Sequence, residues 1–205
     1  MDRYIRNWQA GWGLCRGLDP AKEIDGGLLV TLGLPGRTHE IIVLDRRALP
    51  DLAARVATAE EPTWLTVPTQ HPEEDSTTLQ QAGLVPLGPP ERLMTTELPT
   101  HPTAEGVTVT AEGDVLTARI TVGDQIAATG MMGLAGASAV AHAIRTDPEH
   151  QRRGHGTRIM AALAAEAVAR GAKTGLLIAS HEGEQLYTAL GWTPLAAVLT
   201  SRVAA

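Results

Sequence analysis

The stretch Ile144-Arg-Thr-Asp-Pro-Glu-His-Gln-Arg-Arg-Gly-His-Gly-Thr157 decides how the rest of the chain reads. The apolar run from Ala139 to Thr146 predicts a strand, and Asp147-Pro148 a turn after it. A loop with two glycines then opens into the strongest helical pattern in the chain, Thr157 to Arg170. Ile159, Met160, Leu163, Ala167 and Val168 form its apolar stripe, and Gly171 its stop. A strand, a glycine-containing loop and a helix start bring unpaired backbone N–H groups and the positive end of a helix dipole to one place. Such a place binds anions. Gly154 and Gly156 let a phosphate group approach the backbone, and Arg152 and Arg153 add charge. The P-loop and the dinucleotide turn both fail to fit, because there is no Gly-Lys-Ser/Thr and no third glycine at the required spacing.

Gln151-Arg152-Arg153-Gly154-His155-Gly156 resembles the Q/R-x-x-G-x-G/A signature of the GNAT superfamily, which transfers acyl groups from acyl-coenzyme A to amines. Downstream, Leu186-Tyr187-Thr188-Ala189-Leu190-Gly191-Trp192 resembles the L-Y-x-x-x-G-F/W helix of that superfamily, after a strand at Leu176 to Ala179. The resemblance runs from Val115 to the C-terminus. It implies acetyl-CoA as the acyl donor, with the pantetheine arm between splayed strands ending at Thr146 and Ala179. It implies that the Ile144 amide holds the thioester carbonyl and the Thr146 amide the pantetheine. The amides of Arg153, Gly154, His155 and Gly156, with Thr157, would bind pyrophosphate, and Gln151 and Arg152 complete the coenzyme loop. Tyr187 would sit next to the coenzyme sulfur, where a phenol can protonate a departing thiolate.

An attacking amine must also lose a proton. His142 stands two residues before Ile144 on the same strand and is expected on the same face. Its ordinary pKa near 6.5 suits a base. Members of the superfamily often use a carboxylate on this strand. An ordinary histidine bonded within the sheet is the competing reading, and His181 and Glu182 are other candidate bases. His150 and His155 are expected to be solvated beside the loop. One departure matters: two helices usually follow the first strand and build the acceptor wall. Here Thr110 to Val115 reads as a six-residue turn with no room for them. The N-terminal half is therefore expected to close that side.

That half reads as a helix from Arg3 to Arg16, weakened by Gly11 and Gly13, then a hairpin of Leu28–Leu34 and Glu40–Leu44. A helix from Pro50 to Ala59, a strand from Thr63 to Val67, a helix from Ser76 to Ala82 and a strand from Arg92 to Leu98 follow. Pro99 to Thr103 reads as a linker. Leu79 to Leu87 parallels Leu186 to Leu195, with Gly83 and Pro86 matching Gly191 and Pro194. The order of elements is alike in both halves, but no Q/R-x-x-G-x-G occurs in the first, where Asp45-Arg-Arg-Ala-Leu-Pro50 stands instead. The expectation is an α/β chain with a mixed, mostly antiparallel sheet and flanking helices. It divides into a degenerate GNAT-like domain at 1–99 and an acetyl-CoA-binding domain at 100–205, a tandem pair.

Composition bounds the function. The chain has 205 residues, 43% of them hydrophobic, with no Phe, four Trp and two Tyr, so the core must be aliphatic. A net charge of −6 argues against a broad nucleic-acid surface. The lone Cys15 excludes an intrachain disulfide, and the scattered His form no HxH or HxxxH pair, so no metal is expected. No apolar run approaches the roughly 18 residues of a membrane span, and the first residues lack a signal core. A soluble cytoplasmic protein, monomeric or homodimeric, is expected. It would acetylate a primary amine on a small molecule, an amino acid or an amino sugar, without a covalent intermediate. A non-catalytic acyl-CoA-binding sensor is the alternative.

Overall fold

The computed structural model describes residues 1–98 and 105–204. The linker read at Pro99–Thr103, and with it the boundary between halves, lies outside the described residues. The first half runs α1 (Asp2–Cys15), β1 (Lys22–Ile24), β2 (Gly27–Leu34), β3 (Arg37–Val43), α2 (Leu49–Ala57), β4 (Thr63–Thr69), α3 (Pro72–Gln81), β5 (Leu84–Pro86) and β6 (Glu91–Glu97). The second runs β7 (Thr108–Glu112), β8 (Val115–Val122), β9 (Gln125–Ala135), β10 (Ser138–Thr146), α4 (His155–Ala169), β11 (Thr174–Ala179), α5 (His181–Ala189) and β12 (Thr193–Val203).

Among the described residues all strands join one sheet, in the order β1-β2-β3-β4-β12-β6-β11-β10-β9-β8-β7, with β5 added along β12. Only β3–β4 and β10–β11 pair in parallel. This is the mixed, mostly antiparallel α/β architecture expected from the sequence. The halves interlock through their last strands. β6 enters the second half's sheet against β11, and β12 enters the first half's sheet against β4. β6 and β12 then pair with each other, Ala197 opposite Arg92.

Alternation sorts the core into two faces. Leu93, Val140, Leu176 and Val198 point to one face, where they pack with Ile5, Trp8 and Trp12 of α1. Their neighbours Met94, Ala139 and Leu177 point to the other face, under α4 with Ile159 and Leu163. Leu199 joins Ile41, Leu65 and Leu52 there under α2. Although α1 belongs to the first half by sequence, it lies on β9 and β10 of the second.

The glycines that weaken α1 as an isolated helix explain this seat. A Cβ on Gly133 would overlap the Gly11 carbonyl, and one on Gly11 would run into the Val140 side chain. Gly in a helix costs about 1 kcal/mol relative to Ala. Here it lets the helix backbone rest directly on β9. Asn7 Nδ2 donates to Ser138 Oγ at 2.9 Å and fixes the register of the contact.

The stretch read as a six-residue turn is tighter than expected. β7 and β8 pair up to Glu112↔Val115, leaving only Gly113-Asp114 as the turn and no place for inserted helices. Substituting Gly133→Val should lift α1 off the sheet and destabilise the chain by ~1–3 kcal/mol, the usual cost of overpacking. Urea unfolding followed by Trp fluorescence, which reads Trp8 and Trp12 directly, measures this.

Candidate active site

β10 and β11 pair only from Ser138↔Thr174 to Val140↔Leu176. Beyond Val140 the two strands part, and the backbone groups of β10 that face β11 lose their strand partner. A bulge drives the parting. The β9–β10 register shifts between His142 and Arg145, and Ala143 sits there at φ 51°, a left-handed conformation that costs a non-glycine residue about 1–2 kcal/mol. A cleft of about 570 Å³ opens at the split.

The loop after β10 is built on local hydrogen bonds. Asp147 accepts from the Glu149 amide at 2.9 Å and starts a 3-10 turn, Pro148–His150. Arg152 (φ 62°) and Gly154 (φ 74°) then take left-handed conformations, and Gly154 caps α4 with no side chain over the first-turn amides. Gly156, in that first turn, faces α5. A Cβ there would lie 3.3 Å from Leu186 Cδ2 and 3.9 Å from Thr146 Oγ1, so its absence keeps the passage between α4 and α5 open.

Ile144, Thr146, Gly156, Tyr187 and His142 all line the cleft. Gln151, Arg152, Arg153, Gly154 and Thr157 stand exposed at its α4 end, outside the lining, and His181 and Glu182 are exposed at the start of α5. Two expectations fail. His142 and Ile144 do not share a face, because the Ala143 bulge resets the alternation. Ile144 turns to the α4 face beside Gly130 and Ile159, whereas His142 stays on the α1 face with Val140. His150 and His155 are not solvated. They are buried at 8% and 7% exposure, ring centroids 6.2 Å apart, with no hydrogen-bond partner for any ring nitrogen.

Tyr187 is 9% exposed, 6.0 Å from the Trp192 ring, and burial pushes its phenol up to about 12. Burial lowers the His142 imidazole below its ordinary value, and the positive charges of Arg16 and Arg145 lower it further. His155 is lowered too, by burial first and then by Arg158, His150 and Arg153.

The rest of the lining comes largely from the first half, which the sequence led us to expect on this side: Trp8 and Trp12 of the apolar face of α1, and, not singled out in the sequence, Arg16 just after α1, Arg37 and Glu40 of β3, Thr66 of β4 and Glu91 of β6. Glu40, 1% exposed, is ion-paired to Arg37 and accepts from Thr66 Oγ1 at 2.5 Å. Arg37 lies over the Trp64 ring at 4.2 Å. The Glu91 carboxyl is raised by burial, an effect opposed by Arg37 and reinforced by Glu40. A glutamate opening the apolar run of β3 was the one sequence signal for this cluster. Among the described residues no group of three or more His, Cys, Asp or Glu is arranged to hold a metal ion, and no helix is long and apolar enough to cross a membrane.

Residues 109–194, which include the cleft-lining segments of β10, α4, β11 and α5, match the acetyltransferase (GNAT) domain. No curated protein matches the chain in sequence. Among solved structures, the chain is similar to a GCN5-related N-acetyltransferase from Kribbella flavida, at 18% identity and a TM-score of 0.69, covering 97% of this chain and 94% of that one. It is similar to a GCN5-related N-acetyltransferase from Sphaerobacter thermophilus, at 13% identity and TM-score 0.61 over 97% and 90% of the two chains. A tandem GNAT protein from the clavulanic acid biosynthesis pathway aligns over 86% of this chain and 78% of its own, at 14% identity and TM-score 0.57. The fold is therefore that of GNAT proteins along nearly the whole chain, while the family match itself falls in the second half.

The electrostatics of the cleft can be read in solution. The His142 imidazole should titrate below 6.5, so it stays neutral to a lower pH than a free histidine. Arg16→Gln removes one of the charges that oppose its protonation, so the midpoint should rise. Two-dimensional NMR of ring-labelled histidine against pH checks both signs.

Proposed function

We propose that the protein is an N-acetyltransferase that transfers acetyl from acetyl-CoA directly to a primary amine. One observation carries this reading: Gly156 in the first turn of α4, the unpaired edge of β10 and Tyr187 line a single cleft where β10 and β11 part, with the glycine loop at its α4 end. The match of residues 109–194 to the acetyltransferase (GNAT) domain supports it.

The residues fit the coenzyme. The amides at the start of α4, which no side chain caps, with Arg152 and Arg153 beside them, would take the pyrophosphate. The pantetheine would run past Gly156, where a side chain would block it, to the free edge of β10. There the Ile144 and Thr146 amides would take the thioester carbonyl and the pantetheine. Bound acetyl-CoA supplies the activated acyl group.

The amine nitrogen then attacks the thioester carbonyl carbon, the C–S bond breaks and the thiolate leaves. Tyr187 keeps its proton at every working pH, because burial raises it to about 12. Beside the sulfur, the phenol would protonate the departing thiolate as general acid, and solvent would restore its proton. His142, held neutral on the α1 face, accepts the proton the amine loses. Cys15 is half-buried with its thiol raised to about 11, which suits no covalent acyl intermediate.

The acceptor in this reading enters from the α1 face, between the halves. The first half, 1–99, acts as a degenerate GNAT-like copy that walls the site without binding coenzyme. Where a second phosphate loop would stand, Asp45 caps a 3-10 turn and Arg46 is tied to Asp75 and Glu74, each at 2.7 Å.

Gly154→Glu places a negative side chain at a position with open space around it, so the fold should survive. Acetyl-CoA affinity should fall by about 10²-fold or more, the loss expected when a phosphate site acquires a like charge and loses its αL glycine. Calorimetry on the wild-type chain should give one acetyl-CoA site per chain, absent from Gly154→Glu. Two sites would sink the assignment of the halves. Tyr187→Phe should slow turnover by about 10²-fold with coenzyme affinity kept. Thiol release under saturating acetyl-CoA measures it, and full activity would reduce Tyr187 to packing.

A further inference from the structure

The charges at the α1 end of the cleft do not balance. Arg37 and Glu40 cancel as an ion pair, and Glu40 spends its other oxygen on Thr66. Glu91 and Arg145, the other two charged residues of the lining besides Arg16, offset each other in number. Against these stands Arg16, at the C-terminal end of α1, which has no carboxylate partner among the ion pairs of the described residues. Its guanidinium is held over the Trp12 ring at 5.3 Å, and Trp12 is fixed by stacking on Trp8 at 5.6 Å.

Position separates Arg16 from the phosphate loop. Arg16 follows α1, on one face of the sheet, while Gly154 and Gly156 belong to α4 on the other. Arg16 shares its face with His142 and contributes to the positive surroundings of that imidazole. A simple cationic amine approaching His142 meets Arg16 and Arg145 of the same sign. An amine that carries its own carboxylate meets a counter-charge already in place.

Building on the acetyltransferase reading, we infer that the acceptor is an amino acid, a primary amine with a carboxylate a few bonds away, and that Arg16 binds that carboxylate while the amine faces His142. Arg16 is thus a specificity-determining residue. Its planar guanidinium, held over the Trp12 indole, can offer two N–H groups to one carboxylate.

The test uses the full chain, saturating acetyl-CoA and matched acceptors: phenylalanine against 2-phenylethylamine, and lysine against 1,5-diaminopentane. Thiol release gives kcat/KM for each, with mass spectrometry of the acetylated product. Each amino acid should exceed its decarboxylated partner by roughly 10- to 100-fold, the range of a hydrogen bond to a charged group. In Arg16→Gln that ratio should collapse toward one through a rise in the KM of the amino acid. Acetyl-CoA affinity by calorimetry should hold, and Arg16→Lys should restore part of the ratio. Equal or better turnover of the decarboxylated amines, an unchanged ratio in Arg16→Gln, or no turnover of any pair by a chain that binds acetyl-CoA overturns the amino-acid assignment alone. Failure of the wild-type chain to bind acetyl-CoA overturns the transferase reading and this inference with it.

Discussion

The molecule is organised around a pair of strands that stop pairing. β10 and β11 share three residue pairs and then diverge, which leaves a free backbone edge inside the sheet. An unpaired edge in a core costs hydrogen bonds unless something occupies it. The divergence is held from both sides. The Ala143 bulge turns β10 away, and β6 keeps β11 in place with six antiparallel pairs, Thr174↔Glu97 to Ala179↔Arg92. The strained residue and the open edge lie side by side at the mouth of the cleft, where a backbone outlier has most to do with function.

β6 comes from the other half of the chain, and this gives the interlock its physical purpose. If β12 alone followed β11, the second half would end on its own strand, and β4 of the first half would present an open edge. Exchanging β6 and β12 covers both edges and fuses two small sheets into one. It also fixes α1, whose Gly11 rests on Gly133, at a set distance from the cleft. The helix that is first in sequence can then wall a site whose loop lies beyond residue 150. Each half depends on a strand from the other, so the cleft and the fold are one cooperative object.

Much of this was legible locally. The 3.6-residue stripe of α4, the glycine loop before it and the Leu186–Trp192 helix each announce themselves within a dozen residues. What escaped was non-local or contrary to local rules. β1 is three residues long and has no periodicity to read. β4 continues through Pro68, which pairs with Val198 past the end of the β3 pairing, where a missing N–H costs little. α3 starts at Pro72, not Ser76, because its first turn is polar and carries no apolar stripe to read, while Pro suits that position. The bulge at Ala143 carries no glycine to betray it, and so the sides of His142 and Ile144 were misread. Arg16, Glu40 and Glu91 come from three elements far apart in sequence, and only the exchanged sheet brings them together.

The two halves also differ in how a helix follows the turn after a strand. After β3, Asp45 accepts from the Arg47 amide at 3.0 Å; after β10, Asp147 accepts from the Glu149 amide at 2.9 Å. Both begin the same 3-10 turn. In the first half Leu49 opens α2 directly from that turn, Pro50 in its first turn has no amide N–H to offer, and Arg46 is tied to Asp75 and Glu74. In the second, Gln151 to Gly154 are interposed. They include two left-handed residues, Arg152 and Gly154, and α4 begins after an exposed glycine with no side-chain cap. A helix dipole is present in both places. Neither helix start has a side-chain cap, but only α4 is preceded by the glycine loop, and the proposed coenzyme site of the second half rests on that difference.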